Sequence, residues 1–516
     1  MNRLLAAALL CTGTLSLTAI AQPAIPPSPE ASTPVAGSDQ PVTLHDLLVA
    51  AINTNLELRA KRIDPKIQEL RTNAALGAFE PSVVGGYSYA YNERPKTAQE
   101  NSSLGSIFGG TNDPILREKN VRSQIGVAGR LPFGTSYELL TGSDRIRNSY
   151  NTFKSEYIAT SSFTLTQPLL KDFGYGGSLA EVRLQRIATA AARFDLQTVA
   201  LRIMRDVANA YYELAFAQKN IEVKTEAVTV AANLVRDNQR RLDEGRMAPI
   251  DVTQAQSRLA EAKEELLVAR NFLAQRRNAI RELTRDNFSV DEAAEFTVDS
   301  SFITTVAPVI ARDAALVDLF NYNPSYLASQ ELTKAEDVRV AYAKNQLWPR
   351  VDLKASIGYN GLSRTIEMSY KNYWERSDPS WSAGVIINVP IFNKTGRSRL
   401  QEAKQRKAQA LLELKRTEVT LLTAFDNAMR DIANATERVT LVKDSVRLAE
   451  SALDAELRRL TSGMTTSFNV AQAQRDLSQA RSRELATYVE LNKAVTQLNF
   501  VLGTLDKSLR VSLSTE

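Results

Sequence analysis

Val207, Leu214, Ile221, Val228, Val235 and Leu242 recur at strict seven-residue spacing, and Phe425, Ile432, Val439, Val446, Leu453 and Leu460 repeat the pattern farther along the chain. An apolar seam kept for about five heptads holds one helix face against a partner, so it dictates long coiled-coil helices. Around the first seam the helical pattern runs from about Leu179 to Asp243, roughly 65 residues. At 1.5 Å rise per residue that is a rod of about 100 Å, too long for a compact domain. Each seam is followed by a glycine-containing turn and a return helix with the same period: Val252, Leu259, Leu266, Leu273 and Ile280, then Val470, Leu477, Leu491 and Leu498, with Glu484 interrupting the second series. Ala255, Ala262 and Ala269 form a small-residue line beside the first return helix, which permits close helix approach.

The two hairpins belong to an internal duplication. Arg240-Arg241-Leu242-Asp243-Glu244-Gly245 followed by Val252-Thr253-Gln254-Ala255-Gln256 returns, about 218 residues later, as Arg458-Arg459-Leu460-Thr461-Ser462-Gly463 followed by Val470-Ala471-Gln472-Ala473-Gln474. A second correspondence joins Asn55-Leu56 and Phe79-Glu80-Pro81-Ser82-Val83 to Asn323-Pro324 and Leu347-Trp348-Pro349-Arg350-Val351. The expected plan is a unit over 42–290, a connecting segment over 291–310, a second unit over 311–505 and a tail over 506–516. Each unit runs helix, β region, long helix, tip and return helix, with tips near 245–251 and 463–469.

The β regions alternate with period two. Val83, Gly85, Tyr87, Tyr89 and Tyr91 share one face while Ser82, Ser88 and Asn92 share the other, and Val351, Leu353, Ala355, Ile357 and Tyr359 alternate with Asp352, Lys354, Ser356 and Asn360. Tyr157, Ala159, Phe163 and Leu165, and Trp381, Ala383, Val385, Ile387 and Val389, continue the pattern in the partner segments. Ten-residue runs with aromatic ends suit the strands of an outer-membrane barrel, although a soluble sandwich alternates in the same way. The first unit carries about 46 additional residues, with two further alternating runs joined by Pro132-Phe133-Gly134. Strands are therefore expected at 82–92, 121–131, 135–143 and 157–167 in the first unit and at 351–360 and 381–391 in the second. Asn92 to Lys119 and Asp144 to Lys154 become long outer loops.

The termini and composition narrow the class. Asn2-Arg3, the apolar run Leu4 to Ile20 and Ala19-Ile20-Ala21 read as a secretory signal over 1–21. The only cysteine, Cys11, falls inside it without the small residue directly before it that a lipoprotein signal wants. The Pro/Ser-rich stretch 22–41 reads as a flexible lead-in. Beyond the signal no run approaches the 18 apolar residues of a transmembrane helix, which leaves a β-barrel open. Sixty-three Lys and Arg against 58 Asp and Glu are mixed along the chain, so no nucleic-acid partner is expected. The lone histidine, His45, sits beside a helix start that Thr43 can cap. That one histidine reads as a surface residue beside a cap rather than as a member of a triad, no cysteine after the signal is left for a thiolate zinc site, and no Gly-rich phosphate loop or clustered Asp/Glu motif stands out. No enzyme, cofactor or metal site is expected.

In the order Asn55-Leu56, Pro81, Gln167-Pro168-Leu169-Leu170 and hairpin tip, then Asn323-Pro324, Pro349, Val389-Pro390-Ile391-Phe392 and tip, the chain resembles the TolC family of outer-membrane efflux proteins from about Val42 to Leu505. The resemblance implies an α+β membrane protein: a trimeric outer-membrane β-barrel continued by a long α-helical coiled-coil periplasmic tunnel built from two internal repeats. It implies a homotrimer in outer-membrane lipid, docked by a periplasmic adaptor (membrane fusion) protein and driven by an inner-membrane pump, conducting substrate passively in efflux or type I secretion. Six strands per chain instead of four would give eighteen in a trimer, unless the extra hairpin projects outward. The competing class is a non-channel periplasmic coiled coil: an adaptor, for which a single hairpin split by a lipoyl-like domain is expected, or a scaffold, which would lack aromatic alternating strands.

Within the resemblance the tips are the sites. Gly245, Arg246, Met247, Gly463, Met464 and Thr465 fall at the adaptor-docking turns, and Asp251, Gln254, Asn469 and Gln472 at the periplasmic aperture. In the family this aperture is ringed by carboxylates; here only Asp251 of the four is acidic. The same turns also read as plain capping elements, with each glycine at a helix C-terminus and Pro249, Asp251, Ser467 or Asn469 at the next start.

Overall fold

The computed structural model describes residues 41–97, 115–149, 154–285, 297–299, 311–376 and 378–511. The signal over 1–21, nearly all of the lead-in and most of the connecting segment fall outside these residues.

Three helices open the first unit: α1 (Leu44–Thr54), α2 (Leu56–Lys61) and α3 (Ile63–Leu76). Thr43 and Asp46 form a reciprocal capping box at the start of α1, beside the exposed His45. Four strands follow, β1 (Ser82–Pro95), β2 (Ile115–Arg130), β3 (Ser136–Asn148) and β4 (Glu156–Pro168). After the short α4 (Gly174–Ser178) come the long α5 (Ala180–Asp243) and its return α6 (Pro249–Thr284). The second unit repeats the order with α7 (Arg312–Tyr322), α8 (Pro324–Asn345), β5 (Arg350–Ser363), α9 (Ile366–Arg376), β6 (Asp378–Asn388), α10 (Lys394–Thr461) and α11 (Ser467–Leu502), and ends in α12 (Leu505–Ser508).

The six strands form one antiparallel sheet in sequence order, β1 to β6. The extra hairpin of the first unit thus lies within the sheet, and β4 pairs with β5 to join the two units, Phe163 opposite Ile357. Several strands outrun their apolar alternation: β2 begins at Ile115 and β3 continues to Asn148, through residues expected in outer loops. The backbone ladder continues where side chains no longer alternate, because it is made of N–H and C=O groups and does not require an apolar face. Helix α9 between β5 and β6 is also unanticipated, and the expected tail over 506–516 begins inside α12, with Leu505 and Val511 buried in the core.

Burial is concentrated at one level of the rod. Val207 and Leu214 of the α5 seam are fully enclosed, together with Leu48 of α1, Leu58 of α2 and Ile280 of α6. A parallel core holds Leu319, Phe425, Ile432 and Leu498 of the second unit. Ile221, Val228, Val235 and Leu242, farther down the same seam, are only half-buried, because α1, α2 and α12 cover its upper part.

An identical asparagine joint closes each unit. Asn55 accepts from the Leu58 amide at 3.1 Å, capping α2, and donates to the Leu283 carbonyl in the last turn of α6 at 3.0 Å. Asn323 accepts from the Tyr326 amide at 3.0 Å, capping α8, and donates to the Val501 carbonyl in the last turn of α11 at 2.8 Å. Both side chains are buried, so each bond is made without competition from water. Between hairpins, Glu213 of α5 pairs with Arg276 of α6 and Lys493 of α11. Burial alone would raise the Glu213 carboxyl, but the Lys493 and Arg276 cations outweigh it and hold the group below the ordinary carboxylate range.

Replacing Asn323 by Ala removes a helix cap and orphans a carbonyl, so it should weaken the joint by about 2 kcal/mol. Hydrogen exchange at the Tyr326 and Leu327 amides would rise by more than tenfold, and an unchanged rate would refute the role.

Candidate functional site

The chain presents two regions able to act on something outside it: the ends of the two hairpins and the faces of the sheet. The hairpin ends are built alike. At the first, the Gly245 amide donates to the Leu242 carbonyl at 2.8 Å and the Arg246 amide to the Arg241 carbonyl at 2.8 Å; at the second, Gly463 donates to Leu460 at 3.2 Å and Met464 to Arg459 at 2.8 Å. Both glycines sit at φ 73°, a left-handed conformation that a side chain makes costly, and this closes each long helix in a Schellman motif. Pro249 then opens α6 and Ser467 opens α11, each with its N-cap residue, Ala248 or Thr466, making no side-chain cap bond. Of the residues expected to start these helices, Pro249 stands at the first position as its fixed φ favours.

The tip side chains face water. Arg246 and Met464 are exposed while Met247 and Thr465 are half-buried, and Arg246 pairs with Glu244 at 3.4 Å. Of the four aperture candidates, Gln254 and Asn469 are exposed, and Asp251 and Gln472 half-buried. Each polar bond found for them is local to its own hairpin. Asn469 Nδ2 donates to Thr465 Oγ1 at 3.0 Å, Gln472 Nε2 to Asp476 Oδ1 at 3.0 Å, and the Asp251 carbonyl accepts from Asn238 Nδ2 at 3.5 Å.

Two latching residues were missed from the sequence. Asn238, only 1% exposed, reaches the Asp251 carbonyl, and Glu456, at the matching position of the second unit, accepts from Thr465 Oγ1 at 2.8 Å. Both lie three residues after a seam position, in the stripe Ala210, Ala217, Lys224, Ala231, Asn238 and its counterpart Ala428, Ala435, Val442, Ala449, Glu456. A polar residue recurring in an otherwise small apolar stripe was the available clue. Lys224, in the same stripe, reaches Glu265 at 2.8 Å and Ser478 at 3.5 Å, tying α5 to both return helices.

The hairpins are pinned to one another above their tips. Arg475 of α11 pairs with Glu261 of α6 at 2.6 Å, Arg481 of α11 with Glu226 of α5 at 2.6 Å, and the Arg258 guanidinium stands 5.5 Å from the Phe468 ring. A cleft of about 270 Å³ remains between them, lined by Leu234, Arg241, Ala262, Leu460 and Gln474.

The sheet divides its chemistry by face. Across the ladder Val83, Val127, Leu139, Phe163, Ile357 and Trp381 stand in one continuous row, and Tyr87, Tyr89, Ile125, Leu165, Leu353 and Val385 share that face. The opposite face carries Ser88, Gln124, Glu138, Thr160, Thr164, Ser356 and Asn388. Val83, Tyr87 and Trp381 are 75%, 75% and 78% exposed, far from the burial such side chains find in water-soluble folds. Among the described residues no helix is long and apolar enough to cross a membrane.

Substituting Gly463 by Ala places a Cβ in a left-handed turn at a cost of about 1 kcal/mol. Hydrogen exchange at the second tip should accelerate about fivefold while α10 near Phe425 stays protected; protection unchanged at both places would refute the turn's dependence on glycine.

Comparison with known proteins places this architecture. The family model described as outer membrane efflux protein matches residues 115–284 and 318–504. The probable efflux pump outer membrane protein TtgC of Pseudomonas putida is 23% identical over 352 residues, covering 66% of this chain and 69% of its own. Among solved structures, the outer-membrane channel OprN aligns at TM-score 0.65 with 18% identity, covering 89% of this chain and 90% of that one. The outer membrane protein VceC of Vibrio cholerae aligns at 0.63 with 19% identity, covering 89% and 96%. With two hairpins, one shared sheet and a family match over more than half its length, this chain belongs to the outer membrane efflux protein family, the TolC-type proteins of the outer membrane.

Proposed function

We propose that three copies of this chain join edge to edge, β6 of one against β1 of the next, and close an eighteen-stranded barrel whose lumen continues through a tunnel of six hairpins. Substrate handed over by an inner-membrane pump and a periplasmic adaptor would leave the cell through this duct. One observation carries the reading: a six-stranded sheet with an apolar face whose outer strands, β1 and β6, are each paired on one side only among the described residues. In hydrocarbon each unpaired N–H or C=O costs several kcal/mol, and spanning sheets exist only as closed barrels of eight or more strands. Six strands are too few to close alone, so further copies must supply the missing edges.

The helices support the same assembly. Leu412, Val419, Leu441 and Leu448 of α10 are 72%, 54%, 62% and 60% exposed, and Leu267 of α6 is 67% exposed, which leaves apolar faces for neighbouring hairpins to cover. Relatives are named as outer-membrane proteins of efflux pumps, which supports a pump-driven role in which the duct performs no catalysis of its own. Gly245, Arg246, Met247, Gly463, Met464 and Thr465 would meet the adaptor. Asp251, Gln254, Asn469 and Gln472 would line the periplasmic mouth, with three carboxylates per trimer.

The protein extracted from outer membranes in mild detergent should have the native mass of a trimer, and a monomer would overturn the reading. In planar bilayers Asp251→Ala should reduce cation preference modestly, because three carboxylates at a wide mouth are partly screened. An unchanged selectivity would remove Asp251 from the aperture.

A further inference from the structure

We propose that neighbouring copies meet by repeating, between chains, the joint that the two units make within one chain, so that β6 and α10 lie against β1, α3 and α6 of the next copy in a fixed register. Resting on the reading of a three-copy duct, this joint has named partners on each side. Duplication carries it. Inside the chain, β4 and α5 of the first unit pack against β5, α8 and α11 of the second. A ring of duplicated chains needs one further joint, from the second unit to the first unit of the next copy, and similar units form it with corresponding elements. By position in the repeat, β6 and α10 correspond to β4 and α5, while β1, α3 and α6 correspond to β5, α8 and α11. The hairpins correspond at a constant 218 residues, Val207 to Phe425 and Val252 to Val470. Pro168 corresponds to Pro390 at 222 residues, and Asn55 and Pro81 to Asn323 and Pro349 at 268.

Residues covered at the internal joint have exposed counterparts at the free edges. Leu169 and Leu170 lie where β5 begins and are 41% and 38% exposed, whereas Ile391 and Phe392 in the corresponding places are 88% and 80% exposed. Ser478 is buried in the cleft between the hairpins and Val230 half-buried there; their counterparts Ala260 and Leu448 are exposed. Surface left open at both outer edges, matched in position to surface that the other unit covers within the chain, fits a second copy of this chain.

The internal ladder then supplies the register. Phe163 stands opposite Ile357 and Leu165 opposite Ala355, and the Leu169 amide donates to the Val351 carbonyl at 2.7 Å. Carried over, Val385 stands opposite Tyr89 of the next copy, Ile387 opposite its Tyr87, and the Ile391 amide donates to its Val83 carbonyl. This register keeps the apolar face of β6 continuous with the tyrosines of β1, whereas a slip of one residue would turn those tyrosines to the face of Ser382 and Asn388.

Charge agrees with it on the helices. Ser482 Oγ donates to Asn220 Oδ1 at 2.8 Å and Arg481 pairs with Glu226 at 2.6 Å; the counterparts are Glu264 with Arg438 and Lys263 with Asp444. Nearer the sheet, the Thr198 and Ser325 hydroxyls lie 3.3 Å apart, and their counterparts are Arg416 and Glu57. Glu213 with Lys493 and Lys224 with Ser478 carry over to Asp431 with Gln275 and Val442 with Ala260, so no like charges meet. Arg438, Asp444, Arg416 and Glu57 already hold partners in their own chain, so the match is one of complementarity and not of charges left unpaired. Arg481, which holds both Glu226 and Glu450, shows that one side chain can serve two. Exposed pairs contribute little stability, and the strand ladder and the covered apolar surface hold the joint.

The test uses the full-length protein with Cys11 replaced by Ser, which leaves no cysteine in the chain. Val385→Cys with Tyr89→Cys places two thiols on directly opposed strand residues, whose Cβ atoms lie about 5 Å apart. Arg438→Cys with Glu264→Cys does the same between hairpins. β1 and β6 are the two ends of the sheet, so a bridge between them joins separate copies. After mild oxidation of the first pair, and treatment of the second with a short bifunctional maleimide, each should give covalent trimers in a denaturing gel. The yield should exceed by about fivefold that of Val385→Cys with Gly85→Cys and of Arg438→Cys with Ser257→Cys, which stand four and seven residues out of register. Native mass in mild detergent is the folding control. A trimer in which either pair fails to link, or in which the out-of-register pairs link equally well, overturns the shared register and leaves the duct reading standing. A monomer overturns both.

Discussion

Backbone hydrogen bonding in hydrocarbon is the constraint on which the rest of this protein depends. Each strand must have its N–H and C=O groups paired on both sides while it crosses lipid, and a single chain provides six strands in a row with a pairing edge left at either end. The apolar row from Val83 to Trp381 has no core to enter among the described residues, and the proposed barrel would give it lipid to meet on that side. The polar face, with Gln124, Thr164 and Ser356, suits a water-filled lumen. An odd number of crossings would leave the two ends of a unit on opposite sides of the membrane. The first unit has four strands and the second two, so both return to the side where the helices lie.

Duplication explains how so long a rod is held together. Each unit is closed at the same place by a buried asparagine that caps one helix and ties down the last turn of another, Asn55 with Leu283 and Asn323 with Val501. The β4–β5 ladder then joins the units at one end, and Glu213 with Arg276 and Lys493 joins the hairpins farther along. Below that level apolar burial thins and paired charges take over, as at Glu261 with Arg475. Exposed ion pairs of this kind contribute little stability. The lower rod accordingly carries a smaller apolar core than the level around Val207 and Phe425.

Much of the frame that carries the candidate site was readable because period and turn chemistry are local properties. The heptad seams placed α5 and α10, the glycines placed both tips, and alternation placed the six strands. Asn238 and Glu456 went unrecognised because each acts through a chain segment nine or more residues away, and only the closed hairpin shows what they hold. Helix α9 was missed for a related reason: its Ser369 and Tyr373 meet Gly361 and Tyr359 of β5, contacts that only the folded sheet brings about.

The sequence by itself determined the helix lengths, the twofold repeat and the strand faces, since all of these follow from residue identity and spacing along one chain. Only the tertiary structure decided that the extra hairpin lies within the sheet, and that the bonds found for the aperture candidates stay within their own hairpins. Those outcomes depend on strand register and helix packing, where a shift of one residue would send each side chain to the opposite face. Register is fixed by contacts between segments far apart in the chain, and no local pattern encodes it.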